Sequence, residues 1–324
     1  MNKVAVVGCG YWGKNLIRNF HELGVLEAVC DNDEELSKAF AKKYKVTSLP
    51  FEEIINSTEI DSIVIAAPAK FHSEIALSGL NAKKHIFVEK PLAMTVDEAK
   101  ELIIAAKKNK KKLMVGHLLH YHPVFAELKK IIRSGKLGKI LVINSNRMSF
   151  GKLRSDENVI WSFAPHDISM VLSLTDDIPN GLFASGIDFF RRDIIDSASL
   201  SIDFENSLKC NINVSWISPF KEHKLTVITE KGIAVFDDTK KWEEKLIIYN
   251  NSFEYQDLPK LNKNEGNYIE IPFGEPLKIE CQHFLDIINK DLEPLTNGNE
   301  GVNVLSILEA ADKSLIKKKY VSIK

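Results

Sequence analysis

Cysteine is scarce: four occur in 324 residues, at 9, 30, 210 and 281, and no two form a CxxC pair. That spacing excludes a disulfide-stapled scaffold and a cysteine zinc site, and it predicts work in a reducing cytoplasm. Net charge is also lacking. Lys and Arg total 43 against 44 Asp and Glu, a formal charge of -1. No overall positive field exists to hold a nucleic-acid backbone, so no nucleic-acid partner is expected. No run approaches the roughly 18 apolar residues of a membrane span, so no membrane partner is expected either. The opening MNKVAVVGCG has too short an apolar run for a signal peptide and reads as a strand. What is present is ordinary for a globular chain: 44% hydrophobic and 27% charged residues. At about 150 residues per domain the length predicts two domains.

The first half alternates short apolar runs with helical patterns. Val4 to Val7, Leu26 to Cys30, Ser62 to Ala67, His85 to Val88 and Leu113 to Val115 are continuous rather than alternating. Such runs suit strands buried on both faces. Between them, Leu16, Phe20 and Leu23 recur at helical spacing, as do Ile75, Leu77 and Leu80. Thr95 and Glu98 form a capping box that predicts a helix to about Lys108. The Lys-rich run 107–112 then falls at a helix C-terminus, where cations are favourable. The alternation predicts a parallel sheet covered by helices, ending near residue 120.

GCGYWG at 8–13 follows the first strand and precedes an amphipathic helix, and Asp31 closes the second strand. This is the context of a dinucleotide fingerprint. Gly8 permits the tight turn, Gly10 clears the approach of a pyrophosphate, and Gly13 lets the helix sit close to the sheet. The phosphates would meet N–H groups at the helix start, where Tyr11 and Trp12 also lie. Asp31 can accept bonds from both ribose hydroxyls and would repel a 2′-phosphate, so NAD is expected rather than NADP. Ala66, Pro68 and His72 follow another strand end and are further candidates for cofactor contact. Glu89 and Lys90 follow the next, and Lys90 is a candidate proton donor or acceptor, or a clamp on an alkoxide.

From residue 121 the pattern changes to α+β, with a division into 1–120 and 121–324. Phe125, Leu128 and Ile132 mark a helix, and Ile140 to Met148 a long strand. Strands are expected near 181–190, 196–205, 208–217, 223–230 and 243–249. Ile202, Phe204, Leu208, Cys210, Ile212 and Val214 alternate, which predicts a largely antiparallel or mixed sheet open on one face. Helices are expected at 280–288 and 299–318. An open sheet face needs a cover, so a homodimer or homotetramer is expected. In SFAPHDIS at 162–169, Pro165 suits a first helical turn, which places His166 and Asp167 near a helix start. His166 is a candidate base, Asp167 either orients it or interacts with the first-turn N–H groups, and both are candidate substrate contacts. His117, His120 and His122 lack a completing carboxylate or cysteine nearby, so no metal is expected; His117 is a candidate substrate contact. Arg147 and Arg154 carry forks suited to carboxylate or phosphate oxygens.

Four motifs in order, the glycine fingerprint, EKPLA at 89–93, PHD at 165–167 and GVNVLSILEAADKS at 301–314, resemble the glucose-fructose oxidoreductase / inositol dehydrogenase family. The resemblance implies a Rossmann domain, an open mixed sheet after it, an active site between them, and hydride transfer between NAD or NADP and a sugar carbon. It places the family lysine on Lys90 and the catalytic histidine on His166. Many members carry Asp four residues before that histidine; here Ser162 stands, which cannot share a proton with lysine. Either Lys90 and His166 suffice or the site is altered toward a non-catalytic NAD-binding protein. Residues 145–169, 234–238 and 275–284 resemble nucleotide-sugar 3-dehydrogenases acting on UDP-N-acetylglucosamine or its uronic acid in surface polysaccharide synthesis. An inositol or unactivated sugar is the alternative substrate.

Overall fold

A computed structural model describes residues 2–323 except 152, 155, 156, 251, 255–259, 263 and 264. The chain divides into two compact units, Met1–Tyr121 with Glu275–Leu305, and His122–Gly274 with Ser306–Lys324. The first unit runs β1 (Val4–Val7), α1 (Gly13–Glu22), β2 (Leu26–Cys30), α2 (Glu34–Tyr44), β3 (Thr47–Ser48), α3 (Phe51–Asn56), β4 (Ser62–Ile65), α4 (His72–Asn81), β5 (His85–Glu89), α5 (Val96–Asn109) and β6 (Leu113–Gly116). Its six strands are parallel in the order β3-β2-β1-β4-β5-β6. Every residue of β1, β4 and β6 is buried, as the continuous apolar runs require. The strand order reverses between β1 and β4, and ligands of such sheets bind beyond the C-terminal strand ends at that point. The capping box of α5 is formed by Thr95 and Glu98, and Lys107 and Lys108 occupy its last turn.

The sequence division assigns everything after 121 to the second domain, yet the helix Pro276–Asn289 packs in the first unit. Its Leu277, Cys281, Phe284, Leu285 and Ile287 join the core made by Val4, Leu16, Phe20, Phe87 and Met114. Phe284 lies 5.6 Å from Phe87 and 6.3 Å from Phe20, centroid to centroid. The cause is burial: α1 and the sheet leave an apolar floor that only a distant segment covers. Each such aromatic pair contributes about 0.5–1.5 kcal/mol beyond its buried area.

The second unit contains α6 (Pro123–Arg133), β7 (Ile140–Phe150), α7 (Val159–Thr175), β8 (Gly181–Ile187), β9 (Ser197–Asp203), β10 (Lys209–Ser215), β11 (Ile217–Thr229), β12 (Gly232–Asp237), β13 (Leu246–Asn250), β14 (Ser252–Glu254), β15 (Lys260–Asn262) and β16 (Asn267–Tyr268). The Pro276–Asn289 helix is α8, the helix α9 (Gly298–Lys317) follows, and β17 (Val321–Ser322) ends the chain. Nine strands form one sheet, β16-β13-β12-β11-β7-β10-β9-β8-β17. The β7–β10 pair is parallel and every other pair antiparallel. Ile202, Cys210, Ile212 and Val214 point inward, while Asn144, Ser199, Ser201, Asn211 and Asn213 line the opposite face. The expected class, a Rossmann-type α/β unit and a largely antiparallel α+β unit, is what the chain forms. No helix among the described residues is long and apolar enough to cross a membrane.

One local expectation is corrected. Pro165 does not open a helix; it lies inside α7. The helix starts a turn and a half earlier because Asn158 caps it, its side chain accepting from the N–H groups of Ile160 and Trp161. His166 and Asp167 therefore sit mid-helix, away from the favourable field of a helix N-terminus.

Candidate active site

The first unit assembles a cluster at the C-terminal ends of β1, β2, β4, β5 and β6. Gly8 turns with φ +99°, a conformation open to glycine. A Cβ on Gly13 would meet the Gly8 carbonyl oxygen at 1.9 Å, so α1 starts in direct contact with that turn. A Cβ on Gly10 would meet nothing within 4 Å. Space is thus kept on the solvent side of the turn, beside a helix N-terminus that has no acidic residue in its first turn and no side-chain cap. Asp31 stands at the end of β2, half-buried. Its Oδ2 accepts the Cys9 N–H at 2.6 Å and its Oδ1 accepts the Asp33 N–H at 2.9 Å. Each oxygen keeps a lone pair for a hydroxyl. An open cradle, an uncapped helix start and an anchored carboxylate at the second strand end fit an adenine dinucleotide.

Trp12 binds this turn to the next catalytic candidates. Its indole Nε1–H donates to Glu89 Oε1 at 2.5 Å. Glu89 Oε2 accepts from the Lys90 backbone N–H at 3.3 Å. Burial pushes the Glu89 carboxyl up to about 7; the Trp12 bond and the Lys90 charge work in the other direction. Lys90 follows, half-buried, before Pro91 across a cis peptide. His72 is buried with its ring nitrogens 2.7 Å from the Pro91 carbonyl and 2.8 Å from the Ala67 carbonyl. It braces the loops after β4 and β5 against each other, and desolvation lowers its pKa. Ala66 and Pro68 line the loop it braces, whereas Tyr11 is 81% exposed, with Lys14 over its ring.

His117, just past β6, is buried and bonded through Nδ1 to Glu300 Oε2. His120 Nε2 lies 3.8 Å from the other oxygen of Glu300. The partner missing from the histidine-rich segment is thus a glutamate 183 residues away, on the helix that carries the last sequence motif. Among the described residues no group of three His, Cys, Asp or Glu side chains is arranged to hold a metal.

In the second unit, His166 is half-buried on α7. Asp167 is buried, and its carboxylate accepts from Ser145 Oγ at 2.6 Å and Arg147 Nε at 2.6 Å, which gives it a role in joining β7 to α7. Arg147 is 9% exposed, so this pair ties β7 to α7. Arg154 lies on the surface with its Nε 3.6 Å from Glu157. His122 belongs to a separate arrangement, capping α6 and lying 3.3 Å from Asp238. Burial opposes charge on Asp238, but the bonds from His122 and Lys245 outweigh it and hold the carboxyl below its usual range. Breaking the Arg147–Asp167 pair from one side leaves a buried charge unpaired. Arg147→Ala is expected to cost about 3–5 kcal/mol of stability, read as a lower denaturant midpoint. A loss under about 1 kcal/mol would show that the pair is solvated and that Arg147 is available for a ligand.

The comparisons agree with this geometry. The profile of the Gfo/Idh/MocA oxidoreductase family, NAD-binding Rossmann fold, matches residues 2–117, and the profile of that family's C-terminal domain matches 125–235. The oxidoreductase YrbE of Bacillus subtilis is 24% identical over 98% of this chain and 95% of its own. The inositol 2-dehydrogenase of Salmonella typhimurium is 32% identical over 149 residues, 44% of either chain. The solved structure of UDP-N-acetylglucosamine 3-dehydrogenase from Acidithiobacillus ferrooxidans superposes with a TM-score of 0.84 at 22% identity, over 97% of both chains. With the two family profiles together matching most of residues 2–235 and a glycine cradle built for a dinucleotide, the chain belongs to the Gfo/Idh/MocA family and is an NAD-dependent oxidoreductase.

Proposed function

We propose that the protein moves hydride between NAD and a secondary alcohol carbon of a sugar, with C3 of a UDP-N-acetylhexosamine or its uronic acid as the substrate that fits best. One observation carries the chemistry. The Lys90 backbone is tied to the glycine cradle through Glu89, which accepts its N–H and the Trp12 indole, and the charge of the Lys90 amine acts on the same Glu89 carboxyl. Bound NAD supplies the site for hydride; the proton falls to the chain. Lys90 Nζ takes the hydroxyl proton in oxidation and returns it in reduction, or holds the developing alkoxide while His166 Nε2 does so. Either division leaves one group to move the proton and one to balance charge. Gly8, Gly10, Gly13, Trp12 and Asp31 hold the cofactor, with Ala66 and Pro68 at its flank. His117, Arg147, Arg154 and Asp167 are the remaining substrate candidates. Of these, Arg154 has the most exposed guanidinium, suited to a uronate or diphosphate oxygen.

Support for the UDP-sugar comes from the motif resemblance over 145–169, 234–238 and 275–284 and from the Acidithiobacillus relative. The Salmonella relative favours a second reading, an inositol ring with the same hydride chemistry. A panel decides: NADH formation with UDP-N-acetylglucosamine, its uronic acid, myo-inositol and free hexoses. Turnover confined to myo-inositol or free sugars would discard the nucleotide-sugar reading. The open face of the nine-stranded sheet is the expected self-association surface, with light scattering giving a dimer or tetramer.

Cofactor choice gives a further expectation. Asp31→Asn keeps the shape and one of the two backbone bonds, since its NH2 cannot accept the other N–H, and it removes the charge that repels a 2′-phosphate. Titration calorimetry should show the NAD-over-NADP ratio falling by about tenfold or more, the scale of one charged interaction. An unchanged ratio would mean that Asp31 does not face the ribose.

A further inference from the structure

Two buried carboxyls of the first unit, Glu89 and Glu280, act on each other, and among the described residues only Glu89 has hydrogen-bond partners. Glu280 is 1% exposed on α8, and its Oε1 has no hydrogen-bond partner among the described residues. Its position follows from two periodicities. The Phe87 and Phe284 rings pack at a tilt with centroids 5.6 Å apart. Glu89 lies two residues beyond Phe87 on the same face of β5, and Glu280 lies one turn before Phe284 on the same face of α8. The ring contact that seats α8 therefore brings Glu280 toward Glu89, and the two interact electrostatically. The other titratable groups around the pair are Lys90, His117, Tyr121, Cys281 and Glu300.

Two carboxylates cannot both be charged in so dry a place without large cost. Glu89 has the better claim to the charge. It accepts the Trp12 indole and the Lys90 N–H, and Lys90 is beside it. Glu280 has none of these. We infer that Glu280 is a positioning residue that works as an uncharged carboxylic acid, leaving Glu89 as the single carboxylate beside Lys90 and so fixing both the counter-charge of that amine and the hold on the glycine turn. Burial and the charge on Glu89 both raise the Glu280 pKa, which agrees with this. The inference rests on Lys90 as the proton-handling group of the proposed reaction.

The Trp12 indole reports the pair without cofactor or substrate, because its N–H bonds Glu89 directly. NMR of that N–H in the parent protein should show two steps with pH, Glu89 first and Glu280 at higher pH. In Glu280→Gln, an uncharged mimic of the acid, the higher step should vanish while the lower one stays. In Glu89→Gln the lower step should vanish. The pH profile of kcat/KM should follow: Glu280→Gln within about threefold of the parent at neutral pH, with the Glu280 step gone from the alkaline limb. A single step in the parent, or a higher step that persists in Glu280→Gln, overturns the pair. A loss beyond about thirtyfold at neutral pH in a folded Glu280→Gln shows that the anion is needed and overturns the uncharged role. Should Glu280→Gln fail to fold, carboxyl 13C signals of the parent decide: absence of a second buried glutamate titrating above Glu89 refutes the inference. These titrations use the free protein. A fully active Lys90 variant would thus refute the Lys90 reading while leaving the pair intact, and the two failures are told apart.

Discussion

Lys90→Met is expected to lower kcat/KM by about 10²–10⁴-fold, the usual contribution of a positioned acid or base. Methionine keeps the length and apolar stem of lysine and removes only the amine. NAD affinity should change by no more than a few-fold, because the glycine cradle, Asp31 and the Trp12–Glu89 bond do not need the Lys90 side chain. The split matters: loss of rate with retained binding identifies a group that acts on the reacting proton, whereas loss of both would mean that Lys90 mainly holds the turn. pH adds a signed expectation. Glu89 is held up near neutrality by burial, so it loses its charge as the solution is made acid through about 7. Below that point Lys90 keeps its proton without a carboxylate beside it, and activity should fall on the acid side. In Glu89→Gln that acid limb should flatten. Steady-state kinetics across pH for the parent and both variants test this. Rates within about threefold for Lys90→Met would remove Lys90 from the mechanism.

What could be read in the sequence was what is encoded locally. The glycine turn, Asp31 and the EKP segment lie at strand ends, and strands buried on both faces announce themselves as unbroken apolar runs. The capping box of α5 is equally local, four residues that need no tertiary partner. Some features were not readable because they depend on a distant segment, and one because a nearby helix-start signal outweighed the proline. The α8 helix looks like any amphipathic helix, and only the floor formed by Phe20 and Phe87 decides which unit it covers. The partner of His117 cannot be read from its own segment because Glu300 is far along the chain. Pro165 misled because proline is common at a first helical turn; Asn158 was the stronger start signal, and α7 accommodates the proline in a buried interior. Arg147 shows the same limit, since a fork suited to a ligand carboxylate suits Asp167 equally well.

Two glycines of the cradle should separate fold from binding. Gly10→Ala adds a methyl group into space that holds no protein atom within 4 Å, so folding should be unaffected and the denaturant midpoint unchanged. The same methyl occupies the approach of the pyrophosphate, and NAD affinity should drop by about a hundredfold or more, the cost of losing two or more charge-assisted bonds to backbone N–H groups. Gly13→Ala behaves differently. Its Cβ would overlap the Gly8 carbonyl, so α1 must retreat from the turn. Retreat moves the helix away from β1 and disturbs Leu16, Ile17 and Phe20 in the core. Stability and NAD binding should therefore fall together, stability by about 1–3 kcal/mol as for other overpacked sites. Calorimetry for NAD and chemical denaturation for both variants give the comparison. If Gly10→Ala binds NAD as tightly as the parent, the open space over the turn is not where phosphate lies, and the assignment of this turn as the cofactor cradle fails, whatever Gly13→Ala does to the fold.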